Sequence, residues 1–260
     1  MPGTPTVRLA FGPNKYAAYH LLLCRWLRQY GIRDQSYCYV TLGGTELRDI
    51  TSLRFICEGL TSEVWSYEDN AGRYRAAEAT ALELQASGLQ VRLQNAAIWS
   101  HQRQSDLPHI YFVDLLGICA WGDYNLRFGE MFQNEVIREG DCLIITSHLG
   151  RNPGAAAIRT QFSGEFDVLG VNNADAESVR NVFRRAHPSM TLFKALSLNG
   201  IQSELALRCF GAVKYRDGSP MGIYGYSIEG GRTDLSSFVQ DQDTKYFDMT
   251  KGRLCASAIF

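Results

Sequence analysis

The sequence predicts an α/β fold, a doubly wound and mostly parallel sheet that closes with an antiparallel hairpin. Three observations predict it. Short apolar runs of strand length alternate with helix-compatible stretches between Tyr37 and Thr146, and a helix after each strand returns the chain so that the next strand runs parallel. Two strand-like runs, 205–215 and 221–228, flank Asp217-Gly218, a pair that favours tight hairpin turns. The 260 residues, 45% hydrophobic and 20% charged, suit one main domain with a sizeable core.

The elements follow in order. Residues 14–30 set Tyr19, Leu22, Leu23, Trp26 and Leu27 at helical spacing, with Gly31 as the stop. The run 37–42 is a buried strand, 46–59 a helix, and 63–67 a second strand that ends at Glu68-Asp69-Asn70. Residues 71–87, rich in Ala, Leu and Glu and closed by Gly88, form a helix. Strands at 89–93, 109–114 and 141–146 follow, with a helix over 124–140. The stretch 150–173 mixes Gly, Asn and Pro without a period and reads as a loop or insertion; 176–186 and 191–198 read as two helices. The chain thus divides into an N-terminal helical extension (1–35), an α/β domain (36–230) and a polar tail (231–260).

Bulk properties narrow the functional classes. A net charge of −1 supplies no whole-protein field for polyanions, so a nucleic acid would have to be met by local patches. Two arginine groups qualify, Arg180, Arg184 and Arg185 near His187, and Arg25, Arg28 and Arg33 near the start; such faces more often serve solvation. Seven cysteines (Cys24, Cys38, Cys57, Cys119, Cys142, Cys209 and Cys255) lack C-x-x-C spacing and read as reduced core thiols of a cytoplasmic protein. No signal-type start and no membrane-length apolar run is present, so a soluble protein with no membrane partner is expected. The five histidines form no pair at helical spacing, so no metal site is expected, and hydrolase elbow and P-loop patterns are missing.

In open parallel sheets ligands bind beyond the carboxyl ends of the strands. Gly43 and Gly44 stand there after the first strand, where missing Cβ atoms let a ligand near backbone amides at a helix start, or simply allow a tight turn. The full G-x-G-x-x-G pattern is absent. Glu68, about 25 residues on, can accept both hydroxyl hydrogens of a ribose, or else serve the turn before the next helix. Asn95 after the third strand can bond an adenine edge. Asp114 ends the fourth strand at the central crevice, where it can orient a ligand amine, move a substrate proton, or cap a turn.

This order of elements resembles the class I S-adenosylmethionine-dependent methyltransferases, a Rossmann-like fold, and within them the three-Cys-motif partner group. The resemblance covers about residues 14–228 and rests on Tyr39-Val-Thr-Leu-Gly-Gly44, Tyr67-Glu68-Asp69, Phe112-Val-Asp-Leu-Leu-Gly117 and Ser219-Pro-Met-Gly-Ile-Tyr224. It implies S-adenosylmethionine as cofactor, with Gly43 and Gly44 under its methionine part, Glu68 on the ribose, Asn95 beside the adenine and Asp114 as the catalytic candidate beside the methyl-transfer pocket. Thr41 takes the place of an acidic cofactor-binding residue, Thr45 that of a further glycine, and Leu115-Leu116 that of a Pro-aromatic pair. Two functions are therefore expected as alternatives: a methyltransferase acting on a nucleic acid or nucleotide, and a non-catalytic methyltransferase-like subunit that binds a partner protein or nucleic acid. A nicotinamide-dependent enzyme is opposed by the closing hairpin.

Overall fold

The structure, a computed structural model, describes residues 13–31, 35–51, 61–115, 119, 123–149, 153–171, 173–201, 204–236 and 246–248. Eight strands form one sheet: β1 (Tyr37–Thr41), β2 (Thr61–Tyr67), β3 (Val91–Gln94), β4 (His109–Asp114), β5 (Cys142–His148), β6 (Leu205–Asp217), β7 (Ser219–Gly230) and β8 (Tyr246–Asp248). Their spatial order is β3-β2-β1-β4-β5-β7-β6-β8. The first five pair in parallel, β7 is antiparallel to both β5 and β6, and β8 adds to β6 in parallel. The expected doubly wound sheet with its hairpin is therefore present.

The helices are α1 (Pro13–Gln29), α2 (Ala71–Ala86), α3 (Tyr124–Gln133), α4 (Ala155–Gln161), α5 (Ser163–Val168) and α6 (Ala176–Leu198). Residues 48–51 open a further helix, and the rest of the expected 46–59 helix lies outside the described residues. Alternation along the strands splits the core in two. On one face Tyr37, Tyr39, Ile110, Phe112 and Ile144 meet α1 and α2; on the other Cys38, Val40, Tyr111, Val113, Leu143 and Ile145 meet α3 and α6. The N-terminal helix is thus part of the core, with Ala18, Tyr19, Leu22, Leu23 and Trp26 buried, and Tyr19 packs on Phe112 at 4.4 Å.

Four expectations change. The helix expected over 124–140 ends at Gln133, because the chain turns at Glu135 (φ 53°) while Val136 and Ile137 donate back to the Met131 carbonyl at 2.9 and 3.1 Å. The stretch 150–173 carries α4 and α5, seven and six residues long; two turns are too short for periodicity to register. With the first half of α6 they form a satellite core of Ile158, Phe162, Phe166, Val179 and Phe183. Helices 176–186 and 191–198 are one continuous helix, α6, with Pro188 inside it. The expected tail contributes β8.

Between β3 and β4 the crossover has only a 3₁₀ turn, Ile98–Ser100. Arg103 organises this connection: its guanidinium donates to the carbonyls of Ser105, Leu107 and Val136 and to both oxygens of Asp141. Five of the seven cysteines are described, all as free thiols, and Cys57 and Cys255 lie outside the described residues. Burial pushes the Cys38 and Cys119 thiols up to about 12, which makes them inert core residues.

Candidate functional site

The strand registers line up the candidate residues along one edge. Thr41 lies opposite Ser66 and Phe112, Tyr67 opposite Gln94, and Asp114 opposite Thr146. The turn after β1, Glu68 after β2, Asn95 after β3 and Asp114 at the end of β4 therefore emerge in a row. Strand order reverses between β1 and β4, which is where an open α/β sheet forms its binding crevice.

The turn after β1 uses its two glycines in different ways. A Cβ on Gly43 would collide with the Ser66 hydroxyl oxygen and Leu47 Cδ2. The close approach at Gly43 is thus made by the chain itself. Gly44 has φ 58° and would meet nothing within 4 Å, so it supplies a left-handed backbone beside open space. Leu47 is also left-handed, at φ 45°, a conformation that costs a non-glycine residue roughly 1–2 kcal/mol and is held here by full burial of its side chain.

Thr41 is buried and points toward α1. Its hydroxyl donates to Asp49 Oδ2 at 2.5 Å, and the Tyr39 hydroxyl donates to the same oxygen at 3.0 Å. Burial pushes the Asp49 carboxyl up, and the two hydroxyls pull it back. The threonine in the acidic position of the resemblance therefore holds an acid that comes from the following helix. Sequence reading missed Asp49, because a charge near a helix start looks like an ordinary surface residue.

Glu68 is buried, and Oε1 accepts from the Asn70 amide at 2.9 Å, its only side-chain hydrogen bond among the described residues. Asn70, not Asp69, caps α2, its Oδ1 accepting from the Arg73 amide. Asn95 is exposed directly beyond β3. Asp114 is engaged at both oxygens, Oδ2 with the Lys15 ammonium of α1 and Oδ1 with the Thr146 hydroxyl of β5. Lys15 was missed as well. Its signal was present, since it lies four residues before Tyr19 and so on the apolar stripe of α1.

Of the arginine groups, Arg28, Arg180 and Arg184 are exposed and Arg25 is half-buried; Arg33 and the Arg185 side chain lie outside the described residues. The Leu116-Gly117 end of the third motif lies outside them too.

A second polar cluster sits on the opposite face. Ser147 Oγ accepts from the Cys119 amide at 2.8 Å and meets His187 Nε2 at 2.7 Å, while His187 Nδ1 meets the Phe183 carbonyl at 3.1 Å. A carbonyl only accepts, so Nδ1 carries the proton and Nε2 accepts from Ser147. Pro188 leaves the Arg184 carbonyl without its helical donor, and the imidazole interacts with that carbonyl as well. The cluster is buried and pins β5 to α6.

Burial lowers His187 from its ordinary 6.5 to about 4. Burial also lowers His101, whose Nδ1 meets the Tyr67 hydroxyl at 2.7 Å, to about 4. Both are neutral when folded, whereas the unfolded chain takes up protons below about 6.5. Stability is therefore full above pH 6.5 and falls toward pH 4, by roughly 1.4 kcal/mol per pH unit for each such histidine. Urea midpoints at pH 7 and pH 5 check this, and replacing His187 by glutamine flattens the slope.

The parallel core closed by an antiparallel β7 next to β5 is the fold of the class I S-adenosylmethionine-dependent methyltransferases. Among solved structures, P. horikoshii TYW2 in complex with MeSAdo is similar at 7% identity, TM-score 0.50, over 87% of this chain and 67% of that one. An S-adenosylmethionine-dependent methyltransferase from Clostridium acetobutylicum ATCC 824 aligns at 10% identity, TM-score 0.47, over 83% of this chain and 92% of that one. No protein-family model and no curated protein matches the sequence. The likeness is one of fold. Among the described residues no helix is long and apolar enough to cross a membrane.

Proposed function

We propose that the protein is an S-adenosylmethionine-dependent methyltransferase whose acceptor is a nucleic acid or nucleotide. The carrying observation is the row formed by Gly44, Glu68 and Asn95 on three adjacent strand ends, with open space beside Gly44. The residues fit an adenosyl group: a carboxylate with one internal hydrogen bond among the described residues for the ribose, an exposed carboxamide for the adenine on one side of it, and a glycine turn on the other. The TYW2 structure of like fold was solved in complex with MeSAdo, which supports an adenosyl ligand. The cofactor would supply an activated methyl group; the chain would bind it, exclude water and align the acceptor, so that proximity supplies much of the rate. Exposed Arg180 and Arg184 on α6 support a phosphate-bearing acceptor.

Calorimetric titration with S-adenosylmethionine tests this reading. Heat with one-site stoichiometry is expected; the absence of both heat and a thermal shift at millimolar ligand would remove it. A second reading, a non-catalytic subunit that binds a partner, is favoured by one observation: both oxygens of Asp114 are already engaged within the chain.

A further inference from the structure

Helix α6 belongs to two cores. Val179, Phe183, Ala186 and Met190 pack with Ile158, Phe162 and Phe166 in the satellite core, whose described members all lie between residues 155 and 190. Farther along the helix, Leu192, Ala195 and Leu196 pack in the main core against the sheet. The change falls at the carboxyl edge, because Ser147, one residue before the end of β5, meets His187 at 2.7 Å. From there α6 runs back along the sheet to the start of β6, so the stretch 176–186, at about 1.5 Å per residue, reaches roughly 16 Å past the strand ends. The lobe made by α4, α5 and this outer half of α6 therefore stands at the edge that carries the crevice. Its ties to the body include Leu169, half-buried against the main core, and Lys194, whose ammonium donates to the Gln161 carbonyl at 2.7 Å.

We propose that this lobe is a hinged lid, turning about His187 and Pro188 and closing over the crevice when an adenosyl ligand is bound. The closing rests on the adenosyl-ligand reading above; the hinge does not. Pro188 has no amide for the Arg184 carbonyl, so the helical ladder is interrupted within one turn of the point where one core gives way to the other. A segment with a core of its own moves as a unit about such a point. The bond between Ser147 and His187 fixes the pivot to β5. The Cys119 amide, donating to the same serine oxygen, keeps the chain that follows β4 at the pivot, where displacements are smallest. Leu169 and the Lys194 ammonium are the contacts that slide as the lid turns. Closure shields the reacting groups from water, and opening admits the acceptor.

Double electron–electron resonance on the full chain tests this, with spin-labelled unnatural residues so that the native cysteines stay in place. One pair joins exposed Leu82 on α2 to exposed Ala157 on α4, across the hinge; the other joins Leu82 to exposed Leu198 on the inner half of α6, within the body. Two distances are expected for the first pair and one for the second. Saturating S-adenosylhomocysteine should draw the first pair to one of its two distances and leave the second pair unchanged. Pro188→Ala, which returns an amide to the Arg184 carbonyl, should shift the ratio of the two populations about fivefold without ligand. A single narrow distance for the first pair, with and without ligand, overturns the lid. An unchanged ratio in Pro188→Ala overturns the pivot, and a ratio that bound ligand leaves unaltered overturns closure over the crevice. Failure of S-adenosylhomocysteine to bind removes the adenosyl reading and closure with it, while two distances that respond to Pro188→Ala still uphold the hinge.

Discussion

Replacing Asp141 with alanine is expected to cost about 3–5 kcal/mol of folding stability, since removing one partner of a buried pair leaves an uncompensated charge. Asp141 is 0% exposed, and four donors converge on it: two guanidinium nitrogens of Arg103 at 2.8 and 3.2 Å, the His109 amide at 2.7 Å and the Arg138 amide at 2.9 Å. Burial pushes the carboxyl up and Arg103 pulls it back, so the site works only with all its donors in place. The substitution strands Arg103, itself only 10% exposed, and two backbone amides, one at the start of β4 and one in the turn before β5. Arg103 also ties together the one crossover among β1–β5 whose described residues hold only a 3₁₀ turn. Urea denaturation measures the loss. Arg103→Met combined with Asp141→Leu should cost less than Asp141→Ala alone, because it removes the charge and its partner together. A double variant that is less stable than the single one would show that Arg103 acts through its carbonyl contacts instead.

The sheet was legible because its strands are buried on both faces and read as unbroken apolar runs such as Leu143-Ile-Ile145. The hairpin was legible from Asp217-Gly218, and Asp217 does pair with Ser219 across that turn. Helix ends were harder. Val136 and Ile137 continue an apolar pattern past the true end of α3, yet they are buried by a turn and not by a helix face. Residues 176–186 and 191–198 read as two helices, but a long helix packed on the sheet keeps its path past Pro188 through one lost hydrogen bond, the more so where an imidazole meets the freed carbonyl.

The candidate site was legible only where local sequence fixes geometry. Gly44, Glu68 and Asn95 follow strand ends, and a strand end sets their place on the edge. Lys15 lies 99 residues from Asp114, and no local rule links them. Asp49 is eight residues from Thr41, but their meeting depends on the left-handed turn at Gly44 and Leu47, which residue identity announces only at the glycine.

Glu68→Ala is expected to weaken adenosyl-ligand binding by about 2–3 kcal/mol, some thirty- to a hundredfold or slightly more, because hydrogen bonds to a charged acceptor contribute about 1.5–3 kcal/mol each. The carboxylate sits at the carboxyl end of β2, and its single bond among the described residues, to the Asn70 amide, leaves acceptor capacity for a diol. Folding should suffer little, since Asn70 caps α2 through its own side chain and its amide can turn to water. A ribose assignment makes a sharper claim than loss of affinity. A ligand lacking both ribose hydroxyls should bind the unaltered chain about as weakly as the complete ligand binds Glu68→Ala, and removing both carboxylate and hydroxyls should add little further, as coupled partners in a double-mutant cycle do. Calorimetry on the four combinations measures that coupling. Fully additive losses would place the carboxylate away from the ribose and leave the Asn70 turn as its role.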